Sequence, residues 1–169
     1  MTSEFLSAVK TPSPEELQKE AEWVTQRIME IGEERLASLA QKTIAVRGNA
    51  YQPYSNYAVG VAILCSSGEM YAAPNTEVVT YTQTGHAEHN AINKALSEGE
   101  AKEDRNFIEA LVVCHSGNSE PCGACRQEIA EHCDNAVVIN IDPEGKPLTA
   151  TSLNVLLPYA FVPKHLDIE

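Results

Sequence analysis

The chain has 169 residues, with 24 acidic and 12 basic side chains and a formal net charge of −12. So acidic a surface repels phosphate backbones and anionic headgroups, which argues against nucleic-acid binding and electrostatic membrane attachment. Apolar residues make up 43% of the sequence, enough to bury a core, and no apolar run approaches the roughly 18 residues of a membrane span.

The first seven residues have neither a basic start nor a long apolar stretch, so no export signal is read there. Five cysteines, an odd number, stand at Cys65, Cys114, Cys122, Cys125 and Cys133. Without an export signal they predict a reducing, cytoplasmic setting in which clustered thiols bind metal or do chemistry.

The first dozen residues are polar and read as frayed. Ser13-Pro14-Glu15-Glu16 is a helix start: a capping serine, a proline for the first turn, and a glutamate that closes a capping box. Leu17, Ala21, Val24, Ile28 and Ile31 follow at alternating steps of four and three, one apolar stripe on one helix face. Gly32 interrupts it, and Leu36, Leu39 and Ala40 resume on a shifted phase. The pattern predicts a helix from Pro14, bent near Gly32, ending around residues 45–48. Its stripe, with Trp23 at the flank, must bury against its own domain or a neighbouring subunit.

Residues 51–57 form a turn-rich aromatic loop. Residues 59–65 are almost continuously apolar, as in a strand covered on both faces. Ser66-Ser67-Gly68 turns the chain into residues 70–73, which predicts a hairpin. A helix over 86–97 closed by Gly99, a strand over 108–114, a helix over 122–133 and a strand over 136–141 follow. A turn at 142–145 and a short helix over 152–157 complete the series. Strands alternating with helices predict an α/β fold with helices on both faces of the sheet.

Two segments carry chemistry: Gly85-His86-Ala87-Glu88-His89 and Pro121-Cys122-Gly123-Ala124-Cys125-Arg126, each at a predicted helix start. A CxxC brings two thiolates to one ion, and the partial positive charge of a helix N-terminus favours the thiolate. A third protein ligand leaves the fourth position of a zinc ion open, the arrangement of catalytic rather than structural sites. Glu88 shares a helix face with Ala91, Ile92 and Ala95, and Cys125 shares one with Ile129 and Cys133. An inward carboxylate is costly without a partner or a task. Beside a water acidified by metal, a carboxylate can carry a proton to a leaving group. The pair H-x-E and P-C-x-x-C is the signature of zinc nucleobase deaminases, in which the glutamate is acid and base, not ligand.

Other readings compete. Glu88 also suits a first helical turn, and the CxxC also suits a structural or redox thiol pair. His89, His115, His132 and His165 read as surface or core histidines. Cys65, Cys114 and Cys133 read as inert core thiols.

From about Leu36 to Asp167 the sequence resembles the short, single-domain cytidine deaminases. The resemblance rests on Pro53-Tyr-Ser-Asn-Tyr-Ala-Val-Gly60, Asn75-Thr-Glu77, His86-Ala-Glu88, Pro121-Cys-Gly-Ala-Cys-Arg-Gln127 and Leu156-Leu-Pro-Tyr-Ala-Phe161. It implies a three-layer α/β/α fold around a mixed sheet of about five strands. Residues 1–35 would then be a mostly helical N-terminal extension and 36–169 the catalytic domain. His86, Cys122 and Cys125 would bind Zn2+, and Glu88 would shuttle protons. Asn75 and Glu77 would hold sugar hydroxyls, Tyr57 would pack on the pyrimidine, and Ala87 would offer backbone groups to the base. Phe161 would reach a neighbouring subunit's site in a homo-oligomer, a tetramer before a dimer. The implied reaction is hydrolytic deamination of cytidine or deoxycytidine, in pyrimidine salvage. The alternatives are a deaminase of a modified pyrimidine nucleoside or nucleoside antibiotic, and a non-catalytic zinc-binding module.

The chain departs from the short family pattern at several positions. His86 stands where a cysteine is usual and His89 where an arginine is usual. The two changes fit together: two thiolates and a neutral imidazole balance a dication, whereas three thiolates leave an excess charge for an arginine to offset. Tyr57 replaces phenylalanine, Pro74 cysteine, Val78 asparagine and Tyr159 glycine. These changes predict altered tolerance around the base.

Overall fold

The computed structural model of the chain describes residues 11–117 and 119–166. The expected fraying at the N-terminus falls almost wholly outside them.

Helix α1 (Pro14–Ile31) begins as its sequence predicts. The Ser13 hydroxyl accepts from the Glu16 N–H, and the Glu16 carboxylate accepts from the Ser13 N–H at 2.7 Å. Gly32 does more than bend the helix. With φ at +84° it ends α1, and a second helix, α2 (Glu33–Arg47), starts on a new axis. A residue with a side chain is strained at that φ.

Strand β1 (Gly60–Cys65) is buried at every position and sits inside the sheet. The turn at Gly68, φ +90°, returns the chain into β2 (Met70–Pro74). Helix α3 (Ala87–Glu98) ends on Gly99 in the left-handed conformation. Strand β3 (Ile108–Cys114), helix α4 (Gly123–Glu131) and strand β4 (Val137–Ile141) follow as predicted, within a residue or two at most ends. Strand β5 (Pro147–Ser152) and the short helix α5 (Leu153–Leu156) close the series.

The sheet order is β2-β1-β3-β4-β5. Only β3 and β4 run parallel; the other pairs are antiparallel, so the sheet is mixed. Residues of alternate parity face opposite sides. Val61, Ile63, Leu111, Val113 and Val138 meet α3, α4 and α5, while Ala62, Leu64, Val112, Val137 and Ile139 meet α1 and α2. The result is three layers, α/β/α, around five strands.

No sequence signal predicts β5. Its Leu148-Thr149-Ala150-Thr151 alternates only briefly and with the apolar pair turned outward, and as an edge strand it buries only Ser152. Its β-branched threonines suit a half-covered edge but do not announce one.

The α1 stripe finds its own sheet. Val24 and Ile31 are buried in the second core, with Trp23 and Ile28 packed at its edge. The N-terminal half of the stripe stays outside: Leu17 is 44% exposed. Polar contacts add to the docking, since Glu20 accepts from the side-chain amides of Asn135 and Asn154 at 3.1 and 3.2 Å.

Candidate active site

The end of β2, the end of β3 and the N-termini of α3 and α4 converge on a cavity of about 440 Å³. His86 is the N-cap of α3 and Cys122 the N-cap of α4. Cys125 lies one turn into α4. His86 Nδ1 is 3.3 Å from Cys125 Sγ and 3.5 Å from Cys122 Sγ, and the two sulfurs are 3.4 Å apart. Ordinary zinc–sulfur and zinc–nitrogen bonds at tetrahedral angles put such donors about 3.5–3.8 Å apart. The triangle therefore fits zinc with a slight expansion. Among the described residues, no other histidine or cysteine joins this group.

The charge balance supports the fit. Burial, then the Glu88 carboxylate, then Cys122, push the Cys125 thiol well above its ordinary pKa. A bound dication reverses that bias, because it coordinates the thiolate. Cys125 and Glu88 are buried, whereas His86 and Cys122 stand at the exposed rim. The burial of Glu88 and Cys125 agrees with the helix faces their periodicity assigns, whereas N-cap position carries His86 and Cys122 to the cavity wall.

Gly85 sets the approach to His86. Its N–H and C=O both pair with Thr76, each bond 2.9 Å. A Cβ at Gly85 would sit 2.5 Å from Asn90 Oδ1 and 2.9 Å from Thr76 Oγ1. Asn90 Nδ2 donates to the Pro74 carbonyl at 2.9 Å. The start of α3 is thereby stitched to the segment that carries Asn75 and Glu77.

Asn75 and Glu77 both line the cavity. Much of their bonding capacity is already used. Asn75 Oδ1 accepts from the Val59 N–H and its Nδ2 donates to the Tyr57 carbonyl, both at 2.9 Å. Glu77 accepts from the backbone N–H groups of Tyr54 and Ser55, at 2.9 and 3.2 Å, and from the Ser55 hydroxyl. The hydroxyl bond, followed by those N–H groups, holds the carboxyl below its ordinary 4.5 against an opposing push from burial.

Tyr57 and Ala87 also line the cavity; Phe161 does not. Phe161 is exposed, and its ring stacks on His165 with centroids 5.7 Å apart. Within one chain the expected site is thus assembled apart from Phe161. His115, read from sequence as a surface or core histidine, is a cavity residue, buried at the end of β3 with its Nδ1 2.9 Å from the Tyr57 hydroxyl. Its position just past a buried strand at the sheet's C-terminal edge was the available signal, since sites in α/β folds gather there.

Comparison with known proteins agrees with this geometry. The family model described as cytidine and deoxycytidylate deaminase zinc-binding region matches residues 33–141. The chain belongs to this family. A cytidine deaminase of Sporosarcina psychrophila is 38% identical over 122 residues, 72% of this chain and 87% of that one. A cytidine deaminase of Halalkalibacterium halodurans is 33% identical over 130 residues, 76% and 96% of the two chains. The crystal structure of a cytidine deaminase from Burkholderia pseudomallei superposes with a TM-score of 0.68 at 32% identity, covering 74% of this chain and 98% of that one. The matched family segment includes the zinc-compatible triangle and Glu88, but not α1.

Proposed function

We propose that this chain catalyses the hydrolytic deamination of cytidine or deoxycytidine to uridine or deoxyuridine, with release of ammonia. The observation that carries the reading is the buried carboxylate of Glu88 on the same cavity wall as His86 and Cys122, which with Cys125 behind them make three donors spaced for zinc. A closed structural site has no use for such a group. His86, Cys122 and Cys125 would hold the ion. When bound, zinc supplies Lewis acidity that brings the pKa of a water toward neutrality.

The remaining steps belong to the chain. Glu88 takes a proton from the attacking water and gives it to ring N3 as the water oxygen bonds to C4. It then carries the second water proton to the exocyclic amine, and the C4–N bond breaks with ammonia leaving. The ring keeps oxygen at C4 and a proton on N3, so water and aminopyrimidine balance oxopyrimidine and ammonia. General acid–base catalysis of this kind contributes about 10²–10⁴-fold.

Sugar hydroxyls would meet the free lone pairs of Glu77 and Asn75. Tyr57 would face the base, and the backbone of Ala87 would meet its polar edge. The exposed Phe161 would complete the site of a neighbouring copy in a homo-oligomer, with a tetramer favoured. A cytoplasmic role in pyrimidine salvage fits the nucleoside substrate.

The test measures bound zinc and ammonia release for the native chain and for Glu88→Ala. Native protein should hold one zinc per chain and release ammonia from cytidine. The variant should keep the metal and lose the release. Ammonia release by Glu88→Ala at the native rate would overturn the mechanism.

A further inference from the structure

Two side chains in the cavity form a couple that neither the zinc triangle nor Glu88 requires. The Tyr57 hydroxyl lies 2.9 Å from His115 Nδ1, and the rings are 5.8 Å apart at 33°. The Gly117 N–H donates to the same nitrogen at 3.0 Å. On the other side of the imidazole, Nε2 lies 2.8 Å from the Ser119 carbonyl oxygen. A carbonyl can only accept, so Nε2 carries a proton, and the Gly117 N–H can only donate, so Nδ1 is the acceptor. Both nitrogens of His115 are thus engaged, and the phenol donates to Nδ1 beside the Gly117 N–H.

The rest of Tyr57 is held as well. Its N–H donates to Ser55 Oγ at 3.0 Å, and its carbonyl accepts from Asn75 at 2.9 Å. Gly117 leaves room for the phenol: a Cβ there would come within 3.2 Å of the hydroxyl oxygen. Yet the Tyr57 residue is 41% exposed, while His115 is only 4% exposed. Packing alone does not lock a ring so open to the cavity. The buried imidazole does.

We infer that His115 is a positioning residue for substrate binding, which fixes the Tyr57 ring as a preset wall of the cavity. The inference rests on the deaminase reading for its substrate, but not for the couple itself. Freeing a preset side chain charges its ordering to each binding event, a penalty of roughly 2- to 12-fold in affinity. The penalty falls on KM, because the ring takes no part in proton transfer.

Steady-state kinetics on cytidine, with zinc-loaded protein, tests this. Tyr57→Phe and His115→Ala should each raise KM by roughly 2- to 12-fold and leave kcat nearly unchanged. The double variant should be no worse than the poorer single one, since both break the same link. His115→Asn should restore much of the loss, because its Oδ1 can take the place of Nδ1 as acceptor. His115→Gln, which matches the Nε2 side, should not. Additive KM effects, or a fall in kcat at constant KM, would overturn the inference.

A substrate-free readout separates this inference from the functional reading. Imidazole ¹⁵N NMR should show one histidine, absent in His115→Asn, as the Nε2-protonated tautomer, and Tyr57→Phe should shift its Nδ1 resonance. An Nδ1 signal indifferent to Tyr57→Phe sinks the couple even if cytidine is turned over. A native enzyme inert toward cytidine sinks the functional reading while the NMR shift still upholds the couple.

Discussion

His89 Nδ1 lies 2.6 Å from Glu128 Oε1, and this contact ties α3 to α4 beside the turns that carry His86 and Cys125. His89 Nε2 accepts from the Asn93 side-chain amide at 2.7 Å, so Nδ1 is the donor toward Glu128. The resemblance to short cytidine deaminases put an arginine at this position. Here the residue braces two helices through a carboxylate instead of offsetting surplus thiolate charge. Zinc needs donors from both helices, so the brace should slow zinc loss. His89→Ala should weaken zinc retention by about tenfold, the low end for groups that orient ligands from outside the metal shell. Competition with a chromogenic chelator measures it; unchanged competition would show that the triangle needs no brace.

Glu77 gives a pH dependence with a definite sign. The Ser55 hydroxyl and the N–H groups of Tyr54 and Ser55 favour its charged form, so its folded pKa lies below the ordinary 4.5. Its stabilisation of the 54–57 loop is complete above pH 4.5 and is lost as the pH falls through the lower folded value. Glu77→Gln should therefore be less stable than the native chain at neutral pH. The gap should narrow as the pH is taken below 4.5. Chemical denaturation at a series of pH values reads this directly, and a gap constant down to strong acid would show that the carboxylate's charge does not hold the loop.

Much of this was legible in the sequence, and the reasons differ by element. The capping box at Ser13 and the buried run of β1 announce themselves because local chemistry and burial agree. The meeting of His86, Cys122 and Cys125 was legible because the sequence sets metal-donor side chains at two helix starts. Strand β5 was not, since on an edge strand the short apolar alternation faces solvent and only Ser152 is buried. Nor was the role of His115. Its partner Tyr57 stands 58 residues away and meets it only through the fold, and no spacing in the chain encodes that meeting.

Gly85 tests whether close packing sets the proposed zinc site. A methyl group there meets the Asn90 side chain at 2.5 Å and the Thr76 hydroxyl at 2.9 Å. Asn90 cannot simply swing away, because it also donates to the Pro74 carbonyl. Gly85→Ala should cost about 1–3 kcal/mol of stability by overpacking. It should also displace His86 and weaken zinc binding, whereas Gly123→Ala, which meets nothing within 4 Å, should leave zinc binding intact. Thermal melts with and without chelator would show both effects; equal behaviour of the two variants would remove Gly85 from the account.

Helix α1 offers an internal control, because its apolar stripe is half buried. Ile31 packs in the core between the helices and the sheet, while Leu17 is 44% exposed on the same stripe. Ile31→Ala should cost about 2–5 kcal/mol, the range for a large-to-small change in a packed core. Leu17→Ala should cost little if the chain stands alone at that face. The two substitutions remove similar apolar groups, so their difference in denaturant midpoint isolates burial from helix propensity. If Leu17→Ala proves as costly as Ile31→Ala, and its cost grows with protein concentration, the outer end of α1 is covered by a second copy of the chain.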